Sequence, residues 1–315
     1  MDRAKKGGRP VHYARHQMHV RCEPRGVCLI ISPWNYPFGL CIGPLVAALS
    51  AGNTAILKPS EMTPHVSGLI TEMCRDVFPD GVVAAFEGGP ECSQELLALP
   101  FDHIFFTGSP TVGKIVMKAA AENLASITLE LGGKCPAIVT SSANINDAAR
   151  RIAVSKFVNN GQTCVAPDYV LVQRPLAEPF LRKLTDETLV RFGEGKSIAE
   201  SGSYCRMVNA KHYKRVLELL EDALERGGRA ILTGEHHEQE RFIHPTIITD
   251  VPHDAAINEE EIFGPVLPVI IFDSLEEAIQ IVNGKPKPLS LYIFSSRTAE
   301  IEKVMRETSS GTCCV

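Results

Sequence analysis

Short apolar runs alternate with longer amphipathic stretches along most of the chain. Val27–Ile31 and Thr54–Leu57 read as buried strands, the second ended by Lys58-Pro59. Thr63-Pro64 opens a helical pattern that reaches Phe78, with Thr63 as N-cap and proline at the first helical position. The pattern continues as strand Val82–Phe86, helix Glu91–Leu99, strand Asp102–Phe106, helix Thr111–Asn123 and strand Ser126–Leu131. After Leu131-Gly132-Gly133-Lys134 a second set begins with strand Ala137–Val139, helix Asn146–Asn160 and strand Tyr169–Val172. A long amphipathic helix from Ala210 to Arg226 follows, then a buried strand at Val266–Phe272 and a capping box at Ser274-Leu275-Glu276-Glu277. Strands alternating with helices of this length predict βαβ units and parallel sheets covered on both faces. The fold expected is therefore α/β: two open parallel-sheet domains over residues 27–132 and 133–315. An N-terminal segment over residues 1–26, extended across Val11–Cys22, reads as a hairpin arm. The strand-like ending Thr312-Cys313-Cys314-Val315 makes a fragment the expectation.

Composition narrows the partners. Thirty-two Lys and Arg against thirty-seven Asp and Glu give a net charge of −5, which offers no general attraction to nucleic acid or to an anionic membrane. The longest apolar stretch, Phe38 to Ala51, is shorter than the ~20 residues of a spanning helix and contains Gly39, Gly43 and Pro44, so no membrane span is expected. Ten cysteines include no C-x2-C pair, and no metal site is expected. Several, such as Cys28 and Cys41, lie inside apolar runs where thiols pack as small hydrophobes. A reducing compartment follows, with the cytoplasm as the default address.

Four segments carry candidate chemistry. Gly108 to Lys114 follows a strand, opens a helix and fits seven positions of a P-loop, but the eighth is Ile115, so the hydroxyl that would hold Mg²⁺ is missing. Two readings stay open there: a helix N-terminus that meets a pyrophosphate, or a strand-to-helix turn that uses glycine for geometry alone. Cys164 follows Asn160-Gly161-Gln162-Thr163 on a loop before a strand, where a thiolate could attack an electrophilic carbon; the alternative is a buried, inert thiol. Glu130 ends a strand immediately before Gly132-Gly133, as a general base or as a solvated strand-end carboxylate. Asn35, in Pro33-Trp34-Asn35-Tyr36-Pro37, could offer its amide to an oxyanion or simply bond its own turn.

Together these segments resemble the aldehyde dehydrogenase superfamily. The motifs are Ser32-Pro33-Trp34-Asn35-Tyr36-Pro37, Leu57-Lys58-Pro59-Ser60-Glu61, Phe106-Thr107-Gly108-Ser109, Leu129 through Lys134, Gly161-Gln162-Thr163-Cys164 and Glu260 through Pro265, in the family's order. Gly161–Tyr169 and Pro288–Ser295 are most similar to the class-three branch, which handles fatty and aromatic aldehydes. The resemblance implies a Rossmann-like NAD-binding domain, a catalytic domain and part of an oligomerisation arm. It implies that Cys164 attacks an aldehyde to form a thiohemiacetal, that Asn35 and the Cys164 N–H hold the oxyanion, and that Glu130 activates the water that releases an acid from a thioester. Lys58 and Glu61 would hold the adenosine ribose of NAD or NADP. Trp34, Gly108, Ser109, Gly113 and Leu131 would border the dinucleotide, and Glu261 and Phe263 the nicotinamide and its ribose. For the last pair, a solvated acidic turn and a core phenylalanine remain the alternatives. A small-molecule aldehyde, medium- or long-chain or aromatic, is the implied partner. A homodimer is implied for the complete protein and is doubtful for this chain, because family members carry further N- and C-terminal segments. The competing expectation is a shortened, catalytically impaired relative that keeps only the fold or cofactor binding.

Overall fold

The structure is a computed structural model that describes residues 19–193, 195 and 197–315. It divides into two compact units that meet in sequence between Glu130 and Leu131. Most of the expected arm, residues 11–18, lies outside the described residues, and residues 19–26 form no helix or named strand.

The first unit is a five-stranded parallel sheet in the order β3-β2-β1-β4-β5, built from β1 Val27–Ile31, β2 Thr54–Lys58, β3 Val83–Ala85, β4 His103–Thr107 and β5 Ser126–Glu130. Helices α1 Gly39–Ser50, α2 Pro64–Val77, α3 Pro90–Leu97 and α4 Pro110–Glu122 connect them. Central strands buried on both faces explain why β1 reads as an unbroken apolar run rather than an alternation. Cys28, Ile30, Cys41, Leu45, Leu57, Ile70 and Cys74 form one cluster, so these three thiols do serve as small core residues. Pro64 occupies the first turn of α2 as expected, but Thr63 makes no capping bond; its hydroxyl donates to Ser60 O at 3.4 Å.

The second unit is a seven-stranded sheet ordered β12-β11-β6-β7-β10-β9-β8, parallel except for β8 against β9. Its strands are β6 Pro136–Val139, β7 Tyr169–Gln173, β8 Arg229–Leu232, β9 Thr246–Thr249, β10 Val266–Phe272, β11 Ser290–Phe294 and β12 Thr312–Cys314. Helices α5 Ile145–Phe157, α6 Ala177–Gly193, α7 Ala210–Glu225, α8 Leu275–Asn283 and α9 Thr298–Glu307 cover it. Alternate residues of β7 divide between two clusters, Val170 and Val172 with α5 and α6, Tyr169 and Leu171 with α8 and α9. The capping box is half formed: Ser274 Oγ accepts from Glu277 N at 3.3 Å, while the Glu277 carboxylate accepts from Asp273 N rather than from Ser274. Helix α5 also stops earlier than its periodicity suggests. It ends at Phe157, and Asn159, Asn160 and Gly161 then take left-handed φ values of 51, 58 and 72°.

Candidate active site

In the first unit every candidate residue except Gly113 sits at or just past the carboxyl end of a strand in one parallel sheet, where open α/β sheets present ligand groups. Trp34 and Asn35 follow β1, Lys58 ends β2, Gly108 and Ser109 follow β4, and Glu130 ends β5. The strand order reverses direction between β1 and β4, which places the Asn35 and Gly108 segments on either side of the switch point. Trp34 and Asn35 are half-buried in a bend, and Glu130 is exposed.

Lys58 is the informative group here. Its side chain is buried, with the residue 3% exposed, and its ammonium has a single acceptor among the described residues, Glu61 Oε2 at 3.0 Å. An ammonium carries three N–H donors, and leaving donors of a buried cation unmatched is costly. Glu61 in turn lines a cavity of about 190 Å³ with Pro59, Ser60, Ser67 and Gly88. The pair therefore has the donors and acceptors to meet a polyhydroxylated ligand group.

The Gly108 loop is less open than its sequence suggests. Gly108 N already donates to Glu130 O at 3.0 Å, Gly113 N donates to Ser109 O, and Val112 N donates to the Ser109 hydroxyl that caps α4. Pro110 has no N–H to offer. Glycine at 108 answers a local need, because a Cβ would fall 2.5 Å from the ring of Phe106. Gly113 is buried within α4.

The second unit builds its candidate site at the opposite end of its strands. The Leu131–Cys135 segment precedes β6, the Cys164 loop precedes β7 and the Glu261–Phe263 loop precedes β10; the three strands are neighbours. These loops lock together by close backbone approach. A Cβ on Gly161 would lie 2.6 Å from the Gly264 carbonyl carbon, and closer still to its oxygen. Gly161 is thus a packing requirement between two motifs as well as a left-handed position, not the helix stop its place after α5 suggests. A Cβ on Gly132 would lie 2.6 Å from Glu261 Cδ, so glycine there admits the Glu261 carboxylate.

Cys164 is half-buried in a turn. The Cys135 thiol donates to its carbonyl at 3.5 Å, and Tyr292 donates to Val165 O at 2.5 Å. Gln162, one residue past Gly161, is buried and spends its amide on Asn159 O, Arg206 O and Val208 N, which fixes the start of the loop. Glu261 is not a solvated turn residue. Burial pushes its carboxyl up to about 7, against the Gly133 N–H that donates to it. Phe263 is half-buried rather than core, and it holds φ = 47° between the buried Ile262 and Gly264. A left-handed aromatic residue is an unusual conformation that the packing around it must hold in place.

The periodicity did not single out the cluster that supports these loops. Lys134 and Asp168 form a buried ion pair, each at most 5% exposed in its side chain. Lys134 also donates to Ile257 O at 2.8 Å and Glu260 O at 3.0 Å, and Asp168 accepts from Ile262 N at 2.8 Å. Arg215 donates to the carbonyls of Glu261 and Ile262. All three donors of Lys134 are matched, in contrast to Lys58, so Lys134 braces the loops. The signal was available: opposite charges stand just ahead of two apolar strands whose first residues, Pro136 and Tyr169, pair in register.

The model of the aldehyde dehydrogenase family matches residues 2–315. The chain belongs to the aldehyde dehydrogenase family. It is 46% identical over 302 residues to 4,4'-diaponeurosporen-aldehyde dehydrogenase of Staphylococcus aureus, covering 96% of this chain and 65% of that protein. It is 43% identical over 295 residues to aldehyde dehydrogenase family 3 member A2 of Rattus norvegicus, covering 94% and 60%. Among solved structures, the substrate-bound state of Staphylococcus aureus AldH superposes with a TM-score of 0.92 at 45% identity, over 98% of this chain and 67% of that one. The chain thus spans between 60 and 66% of the length of these curated relatives and a third of similar identity. Against this family the α/β architecture is as expected, with two sheets parallel but for the β8 edge of the second, and a class-three likeness is borne out by the family 3 relative.

Proposed function

We propose that this aldehyde dehydrogenase oxidises a medium- or long-chain or aromatic aldehyde to the carboxylic acid with NAD or NADP. The observation that carries the cofactor half is Lys58: a buried ammonium with one acceptor, paired to a carboxylate that lines a cavity. Lys58 and Glu61 would hold the adenosine ribose, Glu61 accepting from ribose hydroxyls, while the cation beside it leaves room for a 2′-phosphate. Trp34, Gly108, Ser109, Gly113 and Leu131 would border the dinucleotide, and Glu261 and Phe263 would orient the nicotinamide end. When bound, the nicotinamide supplies the hydride acceptor.

The remaining roles belong to the chain's own atoms. Cys164 Sγ attacks the aldehyde carbon, and the Cys164 N–H with the Asn35 side-chain amide donates to the oxygen that becomes negative. Glu130 takes a proton from the water that releases the acyl group from Cys164. Support for Cys164 comes from its half-buried turn, held by three interlocked loops of one unit. Buried thiols such as Cys28, Cys41 and Cys74 suit a reducing compartment, and we assign the protein to the cytoplasm. Among the described residues no helix is long and apolar enough to cross a membrane. For the complete protein a homodimer is the assembly we infer.

The test is the absorbance of NADH or NADPH formed with a medium-chain or aromatic aldehyde. Cys164→Ser should abolish turnover, Glu130→Gln should stop after acylation, and Lys58→Met should remove the thermal shift produced by either dinucleotide. Equal rates for wild type and Cys164→Ser would end the mechanism. A thermal shift that survives Lys58→Met unchanged would end the assignment of the ribose site.

A further inference from the structure

Cys135 has no part in the chemistry above, yet it grips the nucleophile loop at both ends. Its thiol donates to Cys164 O at 3.5 Å, and its own carbonyl accepts from Asp168 N at 2.8 Å. Residues 163–167, between the anchored Gln162 and Asp168, belong to neither helix nor strand, and Cys135 stands directly ahead of β6. A disulfide asks for Cβ atoms about 4 Å apart. The observed contact sets the Cys135 sulfur against the very carbonyl that is bonded to the Cys164 Cα.

We propose that Cys135 is a resolving thiol for Cys164, closing an intramolecular Cys135–Cys164 disulfide when a peroxide oxidises the nucleophile. The two thiols differ in exposure. Cys135 is 0% exposed, so peroxide does not reach it. Cys164 lies half-buried on a turn and is reached first. In the first step the Cys164 thiolate attacks one oxygen of hydrogen peroxide. The O–O bond breaks, hydroxide leaves and is protonated to water, and Cys164 becomes a sulfenic acid. In the second step the Cys135 sulfur attacks the Cys164 sulfur. The S–S bond forms, the S–O bond breaks, and the departing hydroxide takes the Cys135 proton to leave as water. Two thiols lose two electrons and two protons, and the peroxide is reduced to two waters. A dithiol reductant reverses the bond, which holds Cys164 at the recoverable rung of sulfur oxidation and short of sulfinic acid.

The inference needs an oxidisable thiol at residue 164 and does not depend on turnover of aldehydes. The full chain is reduced, exposed to hydrogen peroxide, blocked with N-ethylmaleimide and digested with trypsin without reductant. Trypsin releases Cys135–Arg150 and Phe157–Arg182, each containing one cysteine. The expected product is this pair joined, two hydrogens lighter than the sum of its parts, and separated again by dithiothreitol. In Cys135→Ser, and in Cys135→Ala as a second variant, the linked pair is lost and Cys164 is recovered as sulfenic acid trapped by dimedone or as sulfinic acid. Wild-type Cys164 advancing to sulfinic acid as fast as in both variants would overturn the proposal, as would a Cys164 that resists peroxide or that links to any other cysteine.

Discussion

Replacing Gly161 by alanine tests whether the Cys164 loop is set by contact with the Glu261–Phe263 loop. Two costs add. Alanine at φ = 72° pays the left-handed penalty, about 1–2 kcal/mol. Its Cβ, 2.6 Å from the Gly264 carbonyl carbon, also meets backbone that cannot swing aside like the tip of a long side chain. Overpacking of that kind costs about 1–3 kcal/mol. The sum, about 2–5 kcal/mol, corresponds to a fall in Tm on the order of 10 °C for a unit of this size. Gly195→Ala isolates the backbone share, since Gly195 also has positive φ, at 74°, but has nothing within 4 Å of a built Cβ. Thermal and urea unfolding of both variants give the comparison, and alkylation of Cys164 by iodoacetamide reports on the loop itself. Gly161→Ala should melt well below Gly195→Ala and alter the alkylation rate. Equal melting of the two variants would refute the steric link between the two motifs.

Other groups make sharper or simpler tests. Lys134→Met strands the buried Asp168 carboxylate and should cost about 3–5 kcal/mol in urea unfolding, part of which the Lys134→Met/Asp168→Leu double variant should restore; a single variant as stable as wild type would refute the bracing role. Glu261 has its carboxyl raised from 4.5 to about 7, so between those values the folded chain keeps a proton that the unfolded chain releases. Stability should therefore fall as pH rises through that window, and Glu261→Gln should flatten the fall; identical pH profiles would count against it. Asn35→Ala should lower kcat by about 10²–10³ with an unchanged Tm, and a parallel loss of Tm would mark a structural role instead.

The first unit was legible because its candidate residues obey the rule that reads strand ends. Asn35, Lys58, Gly108 and Glu130 all fall where a short apolar run stops, and each run is a real strand of one parallel sheet. Less legible was the state of each group once there. Nothing in Phe106-Thr107-Gly108-Ser109 announces that the Gly108 amide is already spent on Glu130 O, and nothing in Lys58-Pro59 announces a cation with one acceptor.

The second unit inverts that rule, and the inversion explains what periodicity could not find. Its interlocked loops stand ahead of β6, β7 and β10, so a search of carboxyl ends passes them by. What fixes them is contact at long range in sequence: Gly161 against Gly264, Gly132 against Glu261, Lys134 against Asp168 and the carbonyl of Glu260. Hydrophobic periodicity reports which face of an element is buried and is silent on which loop tips touch. The motif glycines carry that information in another form. Gly161 follows two residues already in left-handed conformation, so its identity answers to a carbonyl about a hundred positions away as well as to its own turn. A motif glycine beside a candidate nucleophile is therefore better read as a request for space than as a helix stop. The segment that fills the space, here Glu261 through Gly264, is the one that must be bound next to the nucleophile's loop for the fold to close.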